Sequence, residues 1–147
     1  MISLSLRKRL IKTFVGSVLL YGSETWPLGE DERRRIEGFE MWCLRRMLKI
    51  PWTARMTNEE VLQRAEEAPV LWKTVKKRRD IWMGHILRHE SLLHTIMEGL
   101  VEGKRARGRP RRKYISQIMQ DLGCGSFTEL KRLADNRTEW RTAANQS

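Results

Sequence analysis

Aspartate is scarce in this chain, occurring only at positions 31, 80, 121 and 135, with no two adjacent. A two-metal site needs carboxylates that converge on ions roughly 3.5–4 Å apart, and this spacing points to none. The glutamate pairs Glu59–Glu60 and Glu66–Glu67 fall on expected helix, where successive side chains diverge by about 100°, so they read as solvated surface. Cysteine is rarer still: Cys43 and Cys124 stand far apart in no paired spacing, which argues against a disulfide framework and for a reducing compartment. Long apolar runs are missing, and the best of them, residues 14–21, is far too short to span a bilayer. That run leads into YGSETW rather than a small-residue cleavage site, so a secretory signal is rejected. Neither a nucleophile elbow nor a phosphate-binding glycine loop occurs. The expectation is a soluble protein of the cytoplasm or nucleus, with no membrane partner, no cofactor, no metal and no catalytic residues of its own.

Positive charge is what the chain has in excess. Lysine and arginine number 29 against 18 acids, for a net charge of +11 over 147 residues. Such an imbalance costs self-repulsion in the compact state and commonly marks proteins that bind nucleic acid or another polyanion. The excess is concentrated in GKRARGRPRRKY, residues 103–114, where seven of the ten positions from Lys104 to Lys113 are cationic. No acid occurs between Glu102 and Asp121. A solvated charge run is ordinarily mixed in sign, and this one is not. Arginine predominates in it, which favours bidentate contact with phosphate over simple solubility.

Around this stretch the apolar residues recur at helical spacing. Leu6, Leu10, Phe14, Val18 and Tyr21 predict one face of a first helix that ends near Gly22. A second helix begins with acids, ends with Arg45, Arg46 and Lys49, and carries Ile36, Phe39, Cys43, Met47 and Ile50 as its buried stripe, widened by Leu44 and Leu48. TNEE at residues 57–60 is a capping box that opens a short helix to about Glu66. After Pro69 a longer helix places Leu71, Val75, Arg78, Trp82 and His85 or Ile86 on one face, with Gly84 weakening it by about 1 kcal/mol relative to alanine. Further helices are expected to about Met97, from near Arg112 to Gly123, and from the capping box SFTE at residues 126–129 through Leu133 towards Trp140. No alternating strand pattern appears. The fold class is mainly α, a bundle of five to seven helices with a basic loop before the last two. The chain divides into a helical region over 1–102, a basic linker over 103–113 and a helical pair over 114–147.

Two other residue groups bear on chemistry. His85 and His89 are four apart on expected helix, a possible two-ligand face. The acid of an HExxH pattern is missing, since Ile86 follows His85, so these and His94 read as ordinary core or surface histidines. Trp42, Trp72 and Trp82 lie in amphipathic patterns and are expected in the core, whereas Trp26 and Trp52 stand in loop-like contexts open to packing or base stacking. The candidate nucleic-acid contacts are Lys104, Arg105, Arg107, Arg109, Arg111, Arg112 and Lys113, helped by Lys73, Lys76, Lys77, Arg78 and Arg79. Backbone phosphate binding is the leading reading. RGRP at residues 107–110 also spells the core of an AT-hook, which lays arginines into the minor groove of AT-rich DNA. An import signal would account for the same charge, as would a helical protein-interaction module with a basic docking loop.

Four pieces stand in order: LLYGSETW at 19–26, FEMWCLRRMLKIPW at 39–52, RRDIWMGHILR at 78–88 and GKRARGRPRRKY at 103–114. With TNEEV at 57–61 and the closing TEWR at 138–141, this series resembles the region after the polymerase palm in reverse transcriptases of non-LTR (LINE-type) retrotransposons. The resemblance covers nearly the whole chain. It implies a non-catalytic thumb and connection region of an RNA-directed DNA polymerase, a fragment of a transposable element. The catalytic aspartates of such an enzyme, in a YADD-type turn, are expected upstream of Met1. Implied partners are RNA, DNA or an RNA–DNA hybrid, and the polymerase palm, for which Leu4, Leu19 and Leu20 are a candidate face.

Overall fold

The computed structural model describes residues 3–98 and 114–146. Among them every regular element is helical, and eight helices result, one more than the upper end of the expected range. Helix α1 is an α-helix over Leu4–Leu10, widens to a π-helical turn over Ile11–Val15 and returns to α-helix over Gly16–Leu20. It is followed by α2 (Glu30–Met47), α3 (Asn58–Ala65), α4 (Leu71–Arg88), α5 (Leu92–Glu98), α6 (Tyr114–Asp121), α7 (Phe127–Asp135) and α8 (Arg137–Gln146). The chain forms two compact units, one of Met1–Ser23 with Gly29–Val75 and one of Glu24–Leu28 with Lys76–Ser147. The division between them falls within α4 and around a five-residue segment, Glu24–Leu28, while the 103–113 stretch lies outside the described residues.

In the first unit Met41, Leu44 and Met47 of α2 meet Val61 and Ala65 of α3, with Leu4, Ile11, Leu48, Ile50, Met56 and Leu62 packed around them. The capping box forms as its sequence requires: Glu60 N–H donates to Thr57 Oγ1 at 3.3 Å, and Thr57 N–H donates to Glu60 Oε2 at 2.7 Å. Side chains then satisfy other backbone groups left open at helix ends. Arg7 Nη1 donates to the Met47 carbonyl at 3.1 Å. Arg45 Nη2 donates to the Met56 carbonyl at 3.0 Å and to Asn58 Oδ1 at 2.9 Å. Glu40 is buried mid-helix, and its carboxylate accepts the N–H groups of Val70 (3.0 Å) and Leu71 (3.3 Å) where α4 begins. A carboxylate at a helix N-terminus complements the dipole, which makes this buried acid tolerable.

The expected apolar face of α1 is not the buried one. Phe14, Val18 and Tyr21 are 65%, 77% and 87% exposed, and Leu6 and Leu10 are also exposed. Leu6 and Leu10 precede the π turn and lie off the line of Leu4 and Ile11, and the π turn shifts the residues that follow. Gly16 N–H donates to the Ile11 carbonyl, five residues back instead of four, so one extra residue is accommodated and the faces rotate. Gly16, rather than Val15, continues the line of Leu4 and Ile11, and Gly16 is buried while Val15 is exposed. A fixed 3.6-residue period cannot anticipate this shift. Trp42 corrects a second expectation. It is 58% exposed, stacks on Phe39 with ring centroids 6.3 Å apart and lies under the Arg46 guanidinium at 5.8 Å. Trp72 and Trp82 are half-buried, as is Trp26, and Trp52 is exposed.

The core of the second unit is Met83, Leu87, Ile118, Leu130, Ala134 and Trp140, flanked by Met97, Tyr114, Ile115, Met119, Leu122, Cys124, Phe127 and Leu133. Helix α6 closes at Gly123, whose φ of +70° places it in the left-handed region. Cys124 N–H then reaches back to the Met119 carbonyl at 2.8 Å, the pattern that favours glycine after a helix. Ser126 caps α7 by accepting from Glu129 N–H at 3.2 Å. The expected single final helix is instead two, and three helices rather than two follow the basic stretch. Asn136 breaks it: its Oδ1 accepts the N–H groups of Thr138 (3.1 Å) and Glu139 (3.3 Å), an N-cap that restarts the chain as α8. Arg88 Nη1 donates to the Ala134 carbonyl at 2.9 Å, placing a cation at the end of α7.

Gly84 does not interrupt α4. It leaves room for Trp140, whose indole lies against the helix backbone there, with Nε1–H donating to the Asp80 carbonyl at 2.9 Å. A Cβ at position 84 would fall 2.6 Å from Cε2 and 2.9 Å from Cδ1 of that ring. Alanine gains about 1 kcal/mol over glycine in a helix, but overpacking a core costs about 1–3 kcal/mol and strands the indole N–H as well. Gly84→Ala is therefore expected to lower stability despite its better helix propensity, as measured by urea denaturation followed by circular dichroism. An equal or higher midpoint would show that Trp140 does not pack against this helix.

Candidate nucleic-acid interface

Of the candidate cations on α4, Arg79 is the one the sequence places wrongly. The buried line of this helix is Val75, Arg79, Met83 and Ile86, joined by Asp80 and Leu87, one residue round from the expected face through Arg78 and Trp82. Arg79 is consequently interior, with its side chain 1% exposed. Its Nε and Nη2 donate to Asp80 Oδ1 at 2.9 and 2.8 Å, and Nη2 also donates to Asp121 Oδ2 at 2.6 Å. Burial alone would lower the pKa of this guanidinium, but the charges and hydrogen bonds of Asp80 and Asp121 outweigh it and raise the pKa above the ordinary arginine value. The group is a fixed internal cation and cannot also face a phosphate.

Lys76 joins the same cluster, with Nζ 3.2 Å from Asp121 Oδ1. Arg78 is exposed but pairs through Nε with Glu24 Oε1 at 3.0 Å. The segment Glu24–Leu28 is held to α6 as well: Tyr114 Oη–H donates to the Glu24 carbonyl and Gln117 Nε2–H to the Leu28 carbonyl. Leu28 itself is buried. Burial, aided by the charges of Asp80 and Glu24 and opposed by Arg79, pushes the Tyr114 hydroxyl above the usual tyrosine range. Tyr114 thus stays a neutral donor. Of the α4 lysines and arginines, Lys73 and Lys77 are exposed and form no ion pair among the described residues.

Lys104, Arg105, Arg107, Arg109, Arg111, Arg112 and Lys113 lie outside the described residues. The residues that bracket them are well anchored within the second unit. On one side Glu98, the last residue of α5, accepts a hydrogen bond from Lys131 Nζ and lies 3.3 Å from His94 Nε2. The Lys131 hydrogen bond, with His94 adding to it against burial, holds the Glu98 carboxyl below its usual range. On the other side stands Tyr114 with its tie to Glu24.

Other chemistry is sparse. Among the described residues no group of three or more histidine, cysteine or acidic side chains is placed to hold a metal ion. Burial pushes the thiols of Cys43 and Cys124 up, with Glu40 and Glu129 respectively adding to it, the opposite of what activates a nucleophile. No described helix is long and apolar enough to cross a membrane. The sequence pattern did not reveal Glu24, Asp121 and Trp140 as partners of α4. Gly84 inside a helical pattern was the one available signal, because a glycine there implies a close neighbour. No family model, curated protein or solved structure matches the chain.

Arg79 and Lys77 should therefore respond in opposite ways to truncation. Removing one partner of a buried ion pair costs about 3–5 kcal/mol, whereas exposed substitutions stay within about 0.5 kcal/mol. Arg79→Ala is expected to unfold the second unit at much lower denaturant concentration, and Lys77→Ala to leave the transition unmoved. Equal, small effects of the two would place Arg79 at the surface.

Proposed function

We propose that this chain binds nucleic acid without acting on it chemically, as the thumb and connection part of a non-LTR retrotransposon reverse transcriptase. It grips RNA or an RNA–DNA template–primer through backbone phosphates. The observation that carries the reading is the distribution of charge. Residues 104–113 hold seven cations and no acid, and so account for seven of the eleven net positive charges. Lys76, Arg78 and Arg79, by contrast, have carboxylate partners of their own. Charge that is already neutralised within the fold contributes little to binding a polyanion, whereas a run with no acid near it in sequence carries no local counter-charge. The arginine content suits phosphate geometry, and Lys77 adds an exposed cation within the same unit. The order and spacing of the four motifs support the polymerase assignment.

A second reading has its own support. The exposed side chains Leu6, Leu10, Phe14, Val18 and Tyr21 suit a helical interaction module, in which the basic stretch docks an acidic protein. An AT-hook-like reader of duplex DNA would instead depend on Arg107 and Arg109.

Counterion release separates these. Neutralising about seven phosphates gives log K falling against log salt with a slope of about −6 on duplex, and somewhat shallower on single strands. Fluorescence polarisation with labelled RNA, DNA and hybrid at several salt concentrations is expected to give that slope, weakly dependent on base sequence. A slope near zero would remove the proposal. A marked AT preference abolished by Arg107→Ala with Arg109→Ala would favour the AT-hook.

A further inference from the structure

Among the described residues, His85 and His89 are a pair of ligand-type side chains brought together on open surface. His85 is exposed on α4 and His89 is exposed at the residue that follows the helix end, where its N–H reaches back to the Ile86 carbonyl at 3.2 Å, and their rings approach to 4.4 Å between centroids at a tilt of 47°. The inner side of the same turn is pinned, since Met83, Ile86 and Leu87 are buried and Trp140 occupies the notch at Gly84. That packing keeps the His85 side of α4 towards solvent. Among the described residues neither imidazole has a hydrogen-bond or ion-pair partner within the protein, in contrast to His94, which pairs with Glu98.

Two imidazoles one helical turn apart offer two nitrogen donors to a single ion. We propose that His85 and His89 form a bidentate surface site for a divalent late-transition-metal ion of the nickel–copper–zinc class. Imidazole suits these metals and not magnesium or calcium, which take oxygen donors. With two protein ligands, fewer than the three or four of catalytic and structural zinc sites, the remaining positions go to water. The ion exchanges readily and keeps open positions towards solvent. Binding also clips the turn that follows Gly84, where the helix is intrinsically weakest, so the ion stabilises α4 by mass action.

The test is isothermal titration of the full, untagged chain with nickel chloride in chelator-free buffer, a metal that leaves the cysteine thiols unoxidised. One ion per chain is expected. Its affinity should fall by about tenfold or more in His85→Ala and equally in His89→Ala, because either change leaves a single donor. His94→Ala should bind as the unaltered chain does. Nickel should raise the thermal midpoint of the unaltered chain and not that of the two variants, with circular dichroism showing all of them folded. Both altered histidines are exposed, so their replacement leaves the core intact. Affinity unchanged by either substitution, or no binding at submillimolar nickel by the unaltered chain, would overturn the proposal.

Discussion

A guanidinium enclosed by two carboxylates is the interaction on which the second unit depends. Taking Arg79 out of water is costly, and a buried charge is tolerable only when it is paired and hydrogen-bonded. Asp80 supplies one acceptor from the next residue of α4, and Asp121 supplies the other from the end of α6. Asp80 in turn lends its carbonyl to the indole of Trp140 in α8. Two successive residues thus tie three helices, and each tie requires a specific geometry. Apolar packing around Met83, Ile118 and Leu130 drives the collapse, while the ionic and indole bonds select one register for α4 among several that would bury a similar apolar area.

This arrangement gives a physical meaning to the motifs that carry the family resemblance. Glu24 of YGSETW, Arg78, Arg79 and Asp80 of RRDIWMGHILR, Tyr114 at the close of GKRARGRPRRKY and Trp140 of TEWR converge within the second unit. Gly84 belongs to the same set as the notch that receives the indole. These residues build a scaffold. The seven cations of 104–113 lie outside the described residues and differ in sequence, forming a run that lacks any acid among them. Under the proposed function, cations that hold the fold and cations offered to a nucleic acid are segregated along the chain.

Helices with local signals were legible in the sequence. Thr57 and Ser126 announce their caps, and Gly123 announces the end of α6, because a capping side chain or a left-handed glycine acts on its own neighbours. The break at Asn136 was equally local, with Glu139 three residues on as in a capping box and only polar residues from Asp135 to Glu139. What could not be read was anything set by tertiary context. The π turn rotates α1 away from its regular stripe and leaves Phe14 and Val18 in solvent. Arg79 is drawn inside by Asp121, 42 residues away, and Glu40 is buried because the start of α4 needs an acceptor. For the candidate interface, the sequence identified where the charge is but could not tell which cations already had partners.

The central claim is that segregation, and arginine side-chain NMR tests it most directly. With the Nε–H resonances assigned, RNA is added to saturation. The account predicts that Arg105, Arg107, Arg109, Arg111 and Arg112 shift or broaden while Arg79, slow to exchange with solvent, keeps its position. Unmoved resonances from the 104–113 stretch together with a displaced Arg79 signal would contradict it.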